Sequence, residues 1–244
     1  MKEDSAKFEF VAPSSLARAR RVVICPTVVD SGKYPLSTSR ELLNNIIGGI
    51  RKVSKADIVL LASSHSNKNI QEVFTGLKYD FNRVLVMDVA DSLCVEVENP
   101  LPKPFAIPTF WVPSVILSSD YLITTIPLKS RRKKAMMATS SLLSVLPPSK
   151  YIDRKTGDWK NFNELGMDKV LADLYFTLPF DVAIIEATRH YIYRNDGGLG
   201  RSEELGKIYY GEPAEVDAEV SADMGFKTTY LDLVADSRRN MEDW

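Results

Sequence analysis

Short aliphatic runs, each closed by a proline or a polar loop, alternate along this chain with stretches of helical period. Val22-Val23-Ile24-Cys25-Pro26, Asp57 to Ala62, Arg83 to Asp88, Asp120 to Pro127 and Phe180 to Glu186 each read as a strand. Their near-continuous apolar character is that of strands covered on both faces, as in a parallel sheet. Between them, Leu42, Ile46, Ile47 and Ile50 repeat at helical spacing. Ser37, Thr38 or Ser39 is placed to cap that helix, with Glu41 in its first turn. Further helices are expected over Lys68 to Leu77 and Leu165 to Leu178. The alternation predicts a three-layer α/β fold with a mixed, mainly parallel sheet and helices on both faces. Residues 1–20 read as an N-terminal extension and 21–244 as a single domain.

The middle of the chain breaks the pattern. Val95 to Glu98 alternates as a half-exposed strand, and Pro100, Pro102, Pro104, Pro108 and Pro113 follow. Phe105, Ile107, Phe110 and Trp111 are interleaved with these prolines, so a packed insertion is expected rather than a flexible linker. The basic run Lys129-Ser130-Arg131-Arg132-Lys133-Lys134 is read as opening a helix that continues to Leu146. Towards the end, Ile208-Tyr209-Tyr210 reads as a short strand. Pro213 opens a helix that Gly225 stops, and a last helix spans Thr228 to Arg239.

Composition narrows the function classes. A formal net charge of −1 disfavours a dedicated nucleic-acid binder, which needs many unopposed cations. Two separated cysteines, Cys25 and Cys94, cannot hold an iron–sulfur cluster alone and read as free thiols of a reducing compartment. A nicotinamide cofactor is disfavoured because the dinucleotide fingerprint is missing. No apolar run reaches membrane-spanning length, and Met1 to Ala12 lacks the apolar core of a leader, so a cytoplasmic location is expected.

Lys129 to Arg131, His65 and His190 lie at predicted carboxyl ends of strands, where α/β folds bind ligands. Lys129, Ser130 and Arg131 suit a phosphate or carboxylate. Ser64 and His65 follow the second strand, and Gly197 and Gly198 belong to the glycine-rich stretch Asn195 to Gly200, where backbone amides can approach a ligand. Glu186 ends the fifth apolar run and His190 follows four residues later, just after the strand; the two can supply acid–base or metal-ligand groups. Asp217, flanked by Val216 and Ala218, reads as a semi-buried carboxylate that needs a partner, Lys129 or an arginine being the expected one. No complete metal-ligand set can be read from these residues.

Several phrases, in order from about Val22 to Phe226, resemble the domain of unknown function 362 family. They are Cys25-Pro26-Thr27, where members carry Lys-Pro-Asn; Asp120 through Pro127-Leu128-Lys129-Ser130-Arg131, where they carry a strand ending in Pro-x-Lys-Thr-His; and Ser140 to Pro147, where they carry Lys-Asn-x-x-Gly-x-x-Pro. Ile184-Ile185-Glu186-Ala187 stands where members have a strand ending in Asp-Gly. Glu212-Pro213-Ala214-Glu215-Val216-Asp217 stands where they have Asp-Pro-x-Ala-x-Asp. The resemblance implies a ligand site around these positions. Cys25, Thr27, Ser140 and Ser141 replace its usual lysines and asparagines, and some relatives' ferredoxin-like cysteine clusters have no counterpart here.

The first reading is therefore an enzyme or ligand-binding domain acting on a small anionic molecule. A non-catalytic subunit that kept the fold and lost the site is the alternative. A nucleic-acid-associated protein using residues 129–134 is the third reading. Association with a partner protein or a second copy is left open by the sequence.

Overall fold

The computed structural model describes residues 1–29, 32–63, 68–132, 134–153, 155–178, 180–196 and 198–242. The chain opens with a three-residue strand β1 (Lys2–Asp4) and a 3₁₀ turn over Ser14–Arg18. It then runs β2 (Arg21–Pro26), α1 (Arg40–Val53), β3 (Asp57–Ala62), α2 (Ile70–Leu77) and β4 (Val84–Asp88). A two-stranded excursion, β5 (Cys94–Glu98) and β6 (Thr109–Pro113), leads through the short α3 (Ser114–Leu117) to β7 (Tyr121–Arg131) and β8 (Lys134–Met136). The short helices α4 (Ala138–Ser141), α5 (Pro148–Tyr151) and α6 (Phe162–Leu165) precede α7 (Met167–Thr177). The long hairpin β9 (Val182–Ile192) and β10 (Arg201–Gly211) and the helices α8 (Pro213–Met224) and α9 (Thr229–Glu242) complete the described chain.

The main sheet has the order β1-β10-β9-β7-β2-β3-β4, with β8 paired to β7. Strands β4, β3, β2, β7 and β9 are parallel, whereas β10, β1 and β8 join antiparallel. This is the mixed, mainly parallel sheet that the alternation of runs predicts. Alternation along each strand sends successive side chains to opposite faces. Val22 and Ile24 of β2 join Leu43, Ile46 and Ile50 of α1 in one core, while Val23 and Cys25 join Leu142, Val170 and Leu174 in the other. A third cluster packs Ile126, Leu128 and Ile185 under Val216 and Val220 of α8. Ser39 caps α1 by accepting from the Leu42 amide at 3.0 Å, and Gly225 ends α8 in the left-handed conformation.

The first residues are built into this body. Strand β1 pairs with β10, and Phe8 and Phe10 are buried. Asn45 of α1 accepts from the Phe10 amide at 2.7 Å and donates to the Phe8 carbonyl at 2.8 Å. The proline-rich stretch is packed, as its aromatic residues require. Its amides at Phe105, Ala106 and Ile107 all donate to the buried Asp173 of α7, at 2.7–2.9 Å, and so does the Asn99 side chain at 2.8 Å.

The basic run does not open a helix. Lys129, Ser130 and Arg131 end strand β7, a turn at Arg132 (φ 58°) follows, and β8 folds back on them. The next helix begins only at Ala138. The strand continues past Pro127 because the β7–β9 register shifts between Pro127 and Lys129. A bulge of this kind accommodates a residue without an amide donor. Likewise Ile208–Tyr210 is the end of an eleven-residue strand.

Candidate functional site

Going along the chain from β2, the sheet grows outward through β3 and β4. It then reverses to add β7 on the other side of β2. The crevice beyond the carboxyl ends of strands at such a reversal is where open α/β sheets hold ligands. A cavity of about 290 Å³ lies there. Its walls include Pro26 at the end of β2 and Thr27 after it, Ser63 after β3, Ile126 and Lys129 of β7, and Ser140 and Ser141 of α4. Trp159 and Tyr193 contribute aromatic surface. The size sits at the low end of the roughly 300–1,000 Å³ typical of small-molecule sites.

Lys129 dominates the electrostatics. Its side chain is 1% exposed, and its Nζ donates to the Leu36 carbonyl at 2.8 Å. An ammonium carries three donors, so two remain beyond this bond. No carboxylate lies within ion-pair distance of it among the described residues. Burial alone lowers its pKa from 10.5 to about 8, so it is still mostly protonated at neutral pH. The Thr27 hydroxyl, on the same cavity wall, is buried with no hydrogen-bond partner among the described residues. The serines are more fully engaged. Ser141 Oγ is 2.6 Å from Thr124 Oγ1 and donates to the Ala138 carbonyl, and Ser140 Oγ bonds the Met137 amide and carbonyl. Among the described residues the wall thus presents a cation and an unsatisfied hydroxyl on an otherwise neutral surface.

Asp217 does not meet Lys129. It is 0% exposed and holds the amino end of α4: the amides of Ala138 and Thr139 donate to it at 2.7 and 2.8 Å. Tyr230 Oη of α9 donates to it at 2.7 Å. Burial raises its pKa to about 6, against the pull of these donors. The partner expected from sequence, a cation, is replaced by three uncharged donors. Asp217 therefore positions the segment that carries Ser140 and Ser141.

Glu186 works in the same manner on the other face. Its Oε2 accepts from the amide of Ser39, the cap of α1, at 2.8 Å. Burial pushes its pKa up to about 7, with Glu41 adding repulsion and the Ser39 bonds opposing. His190 bonds Ser130 across β9 and β7, Nε2 to Oγ at 2.7 Å, and packs edge-on against Phe226. Its Nδ1 is buried without a partner among the described residues, and burial lowers its pKa. A serine hydroxyl bonded to an imidazole is the start of a nucleophilic arrangement. Here neither residue lines the cavity, and among the described residues no hydrogen-bonding group meets the other ring nitrogen.

Of the residues singled out by sequence, Lys129 lines the cavity, while Ser130, Glu186, His190 and Asp217 are buried beside or behind it. Arg131 is exposed and donates to the Arg194 carbonyl, and Gly198 lies in the turn of the β9–β10 hairpin, its amide donating to Asp196. Ser64, His65 and Gly197 lie outside the described residues. Thr27, Ser140, Ser141 and Tyr193 join the candidate set. The first three stand at positions that the family phrases mark, whereas Tyr193 had no sequence signal. Among the described residues no three His, Cys, Asp or Glu side chains are grouped to hold a metal, and both cysteines are free thiols. No helix of the described chain is long and apolar enough to cross a membrane.

No family model matches the chain, and no curated protein matches its sequence. Among solved structures, the lactate racemase apoprotein from Thermoanaerobacterium thermosaccharolyticum is similar, with a TM-score of 0.55 and 14% identity. The similarity covers 88% of this chain and 52% of that one, so the chain spans about half the length of that protein. At this identity the likeness concerns the fold: this chain is a mixed α/β protein of the same broad architecture, with a mostly parallel central sheet flanked by helices.

Proposed function

We propose that the cavity at the ends of β2, β3 and β7 binds a small anion, and that Lys129 is its anchor. One observation carries the reading: a buried ammonium with two spare donors faces a cavity and has no carboxylate partner among the described residues. An isolated buried charge is costly, and ligands of opposite sign relieve that cost. The unpartnered Thr27 hydroxyl supplies a second contact for an oxyanion. A small carboxylate is the first class to test, because the similar structure is named a lactate racemase. The cavity volume also suits a molecule of that size better than a nucleotide.

Binding is the better-supported half of this reading. Lys129 and Tyr193 are the titratable groups among the described residues that line the cavity, whereas Glu186, Asp217 and His190 are engaged in holding backbone or a neighbouring strand. That favours a ligand-binding role over acid–base catalysis by those three. The resemblance to the domain of unknown function 362 family fits the same proposal, since Thr27, Lys129, Ser140 and Ser141 all stand on the cavity wall.

The test is a thermal-shift series with lactate, malonate and inorganic phosphate on the wild type and Lys129→Met, each shift taken relative to that protein's own melting point. A ligand bound only by the native state raises the melting temperature by mass action. The expected result is a shift with at least one anion that Lys129→Met abolishes. No shift with any of them, or equal shifts in both proteins, overturns the assignment.

A further inference from the structure

The two edges of the main sheet are built differently. At one end, β1 is three residues long and wholly charged, Lys2-Glu3-Asp4. Short, charged strands are how soluble proteins keep a sheet edge from pairing with another chain. At the other end, β4 is Val84-Leu85-Val86-Met87-Asp88. It contains no proline and no lysine, its register with β3 is continuous from Val84 to Asp88, and no described strand pairs its outer side. Leu85 projects from it with 60% of its surface exposed. Among the described residues no proline, lysine, bulge or pairing strand blocks this edge.

The charges at its ends are ordered. Arg83, exposed, precedes the strand, Asp88 ends it, and Asp91, also exposed, follows. None of the three makes an ion pair among the described residues. Burial is the main cause that raises the Asp88 pKa, and Asp91 is close enough to add repulsion. A strand that is basic at its start and acidic at its end complements an antiparallel copy of itself. A two-fold axis normal to the sheet sets each Arg83 near the other copy's acidic pair and keeps every side chain on its own face. A parallel neighbour of the same sequence would stack like charges.

We propose that the chain forms a symmetric dimer in which β4 of one copy pairs antiparallel with β4 of another, joining the two sheets into one. The contact is self-complementary, as a two-fold interface must be. Main-chain hydrogen bonds supply its core, Leu85 its apolar contact, and Arg83 with Asp91 its orientation.

Sedimentation velocity on the full chain, from about 1 to 100 μM at low and moderate salt, tests this. Wild type is expected to sediment at twice the chain mass over the upper part of that range. Leu85→Lys and Arg83→Glu are each expected to shift the midpoint at least tenfold towards monomer, and Asp91→Lys likewise. Circular dichroism confirms that each variant is folded; Arg83 and Asp91 are exposed, so their variants carry the test if Leu85→Lys is not. The decisive arm mixes Arg83→Glu with Asp91→Lys. An antiparallel contact then has both charge pairs restored, and a mixed dimer forms where neither variant alone dimerises. A monomeric wild type, a dimer indifferent to the Arg83 and Asp91 changes, or no mixed dimer overturns the proposal. The outcome is independent of whether the cavity binds an anion.

Discussion

Replacing Lys129 with methionine should make the unliganded protein more stable near neutral pH, and less so as the solution is made alkaline. The folded-state pKa lies at about 8 against an ordinary 10.5, a consequence of burial. At about 1.36 kcal/mol per pKa unit, keeping the buried amine protonated at pH 7 costs on the order of 3 kcal/mol. The native state holds fewer protons than the unfolded chain between pH 8 and 10.5, so this cost fades as pH rises through that window. At pH 10 it has fallen to under about 1 kcal/mol. Methionine removes the charge at similar length but also removes the donor to the Leu36 carbonyl, worth about 1–1.5 kcal/mol. The net expectation is a gain of roughly 1–2 kcal/mol at pH 7 and a small loss at pH 10. Urea unfolding of both proteins at the two pH values is the assay. The difference between the two mutational effects, about 2–3 kcal/mol, is the sharper quantity because ionisations common to both proteins cancel. Equal effects at pH 7 and pH 10 would refute the claim that Lys129 is a desolvated cation. Functional sites commonly retain such locally unfavourable groups at the expense of stability.

Glu186→Gln should flatten the stability profile between about pH 4.5 and 7. There the raised carboxyl pKa makes the wild type bind more protons folded than unfolded, so its stability falls as pH rises, by up to about 3 kcal/mol. Melting temperature against pH, wild type minus variant, reads this directly, and parallel curves would count against it. Asp217→Asn should cost about 2–4 kcal/mol in urea unfolding, since an amide nitrogen then faces the Ala138 or Thr139 amide donor. A loss under 0.5 kcal/mol would show that α4 is held by something else. Gly49→Ala should cost about 1–3 kcal/mol and expose residues 1–20 to protease, because the new Cβ would lie 2.2 Å from the Phe10 carbonyl oxygen. An unchanged digestion pattern would mean that this segment does not depend on close approach to α1.

The parallel core was legible because strands covered on both faces must be apolar throughout. Runs such as Val22–Cys25 and Ile58–Ala62 therefore carry their own signature. The β9–β10 hairpin was not, beyond its apolar half. Arg189-His190-Tyr191 pair with Ser202-Glu203-Glu204, and these residues are polar, charged or aromatic with no apolar alternation to mark a strand, although His190 is buried. Pro127 read as the end of a strand that in fact bulges and carries on to Arg131. That misreading turned Lys129 into the start of a helix. Its place at a strand's carboxyl end, and hence at the cavity, did not depend on the error. For Asp217 the burial was readable from Val216 and Ala218, but its partners were not. Backbone amides are donors at every position and leave no trace in a sequence. The same applies to Asp173, whose four donors come from a proline-rich loop some seventy residues earlier.

The bond from Tyr230 to Asp217 gives the last helix a reach that its position on the surface would not suggest. Tyr230 grips a carboxylate, the carboxylate grips two amides, and those amides begin the turn that sets Ser140 and Ser141 against the ligand space. A disturbance of α9 thus reaches, over two hydrogen bonds, the helix that carries part of the cavity wall. Trimming or fusing the chain near Thr229 would retune the cavity while leaving every residue that lines it in place.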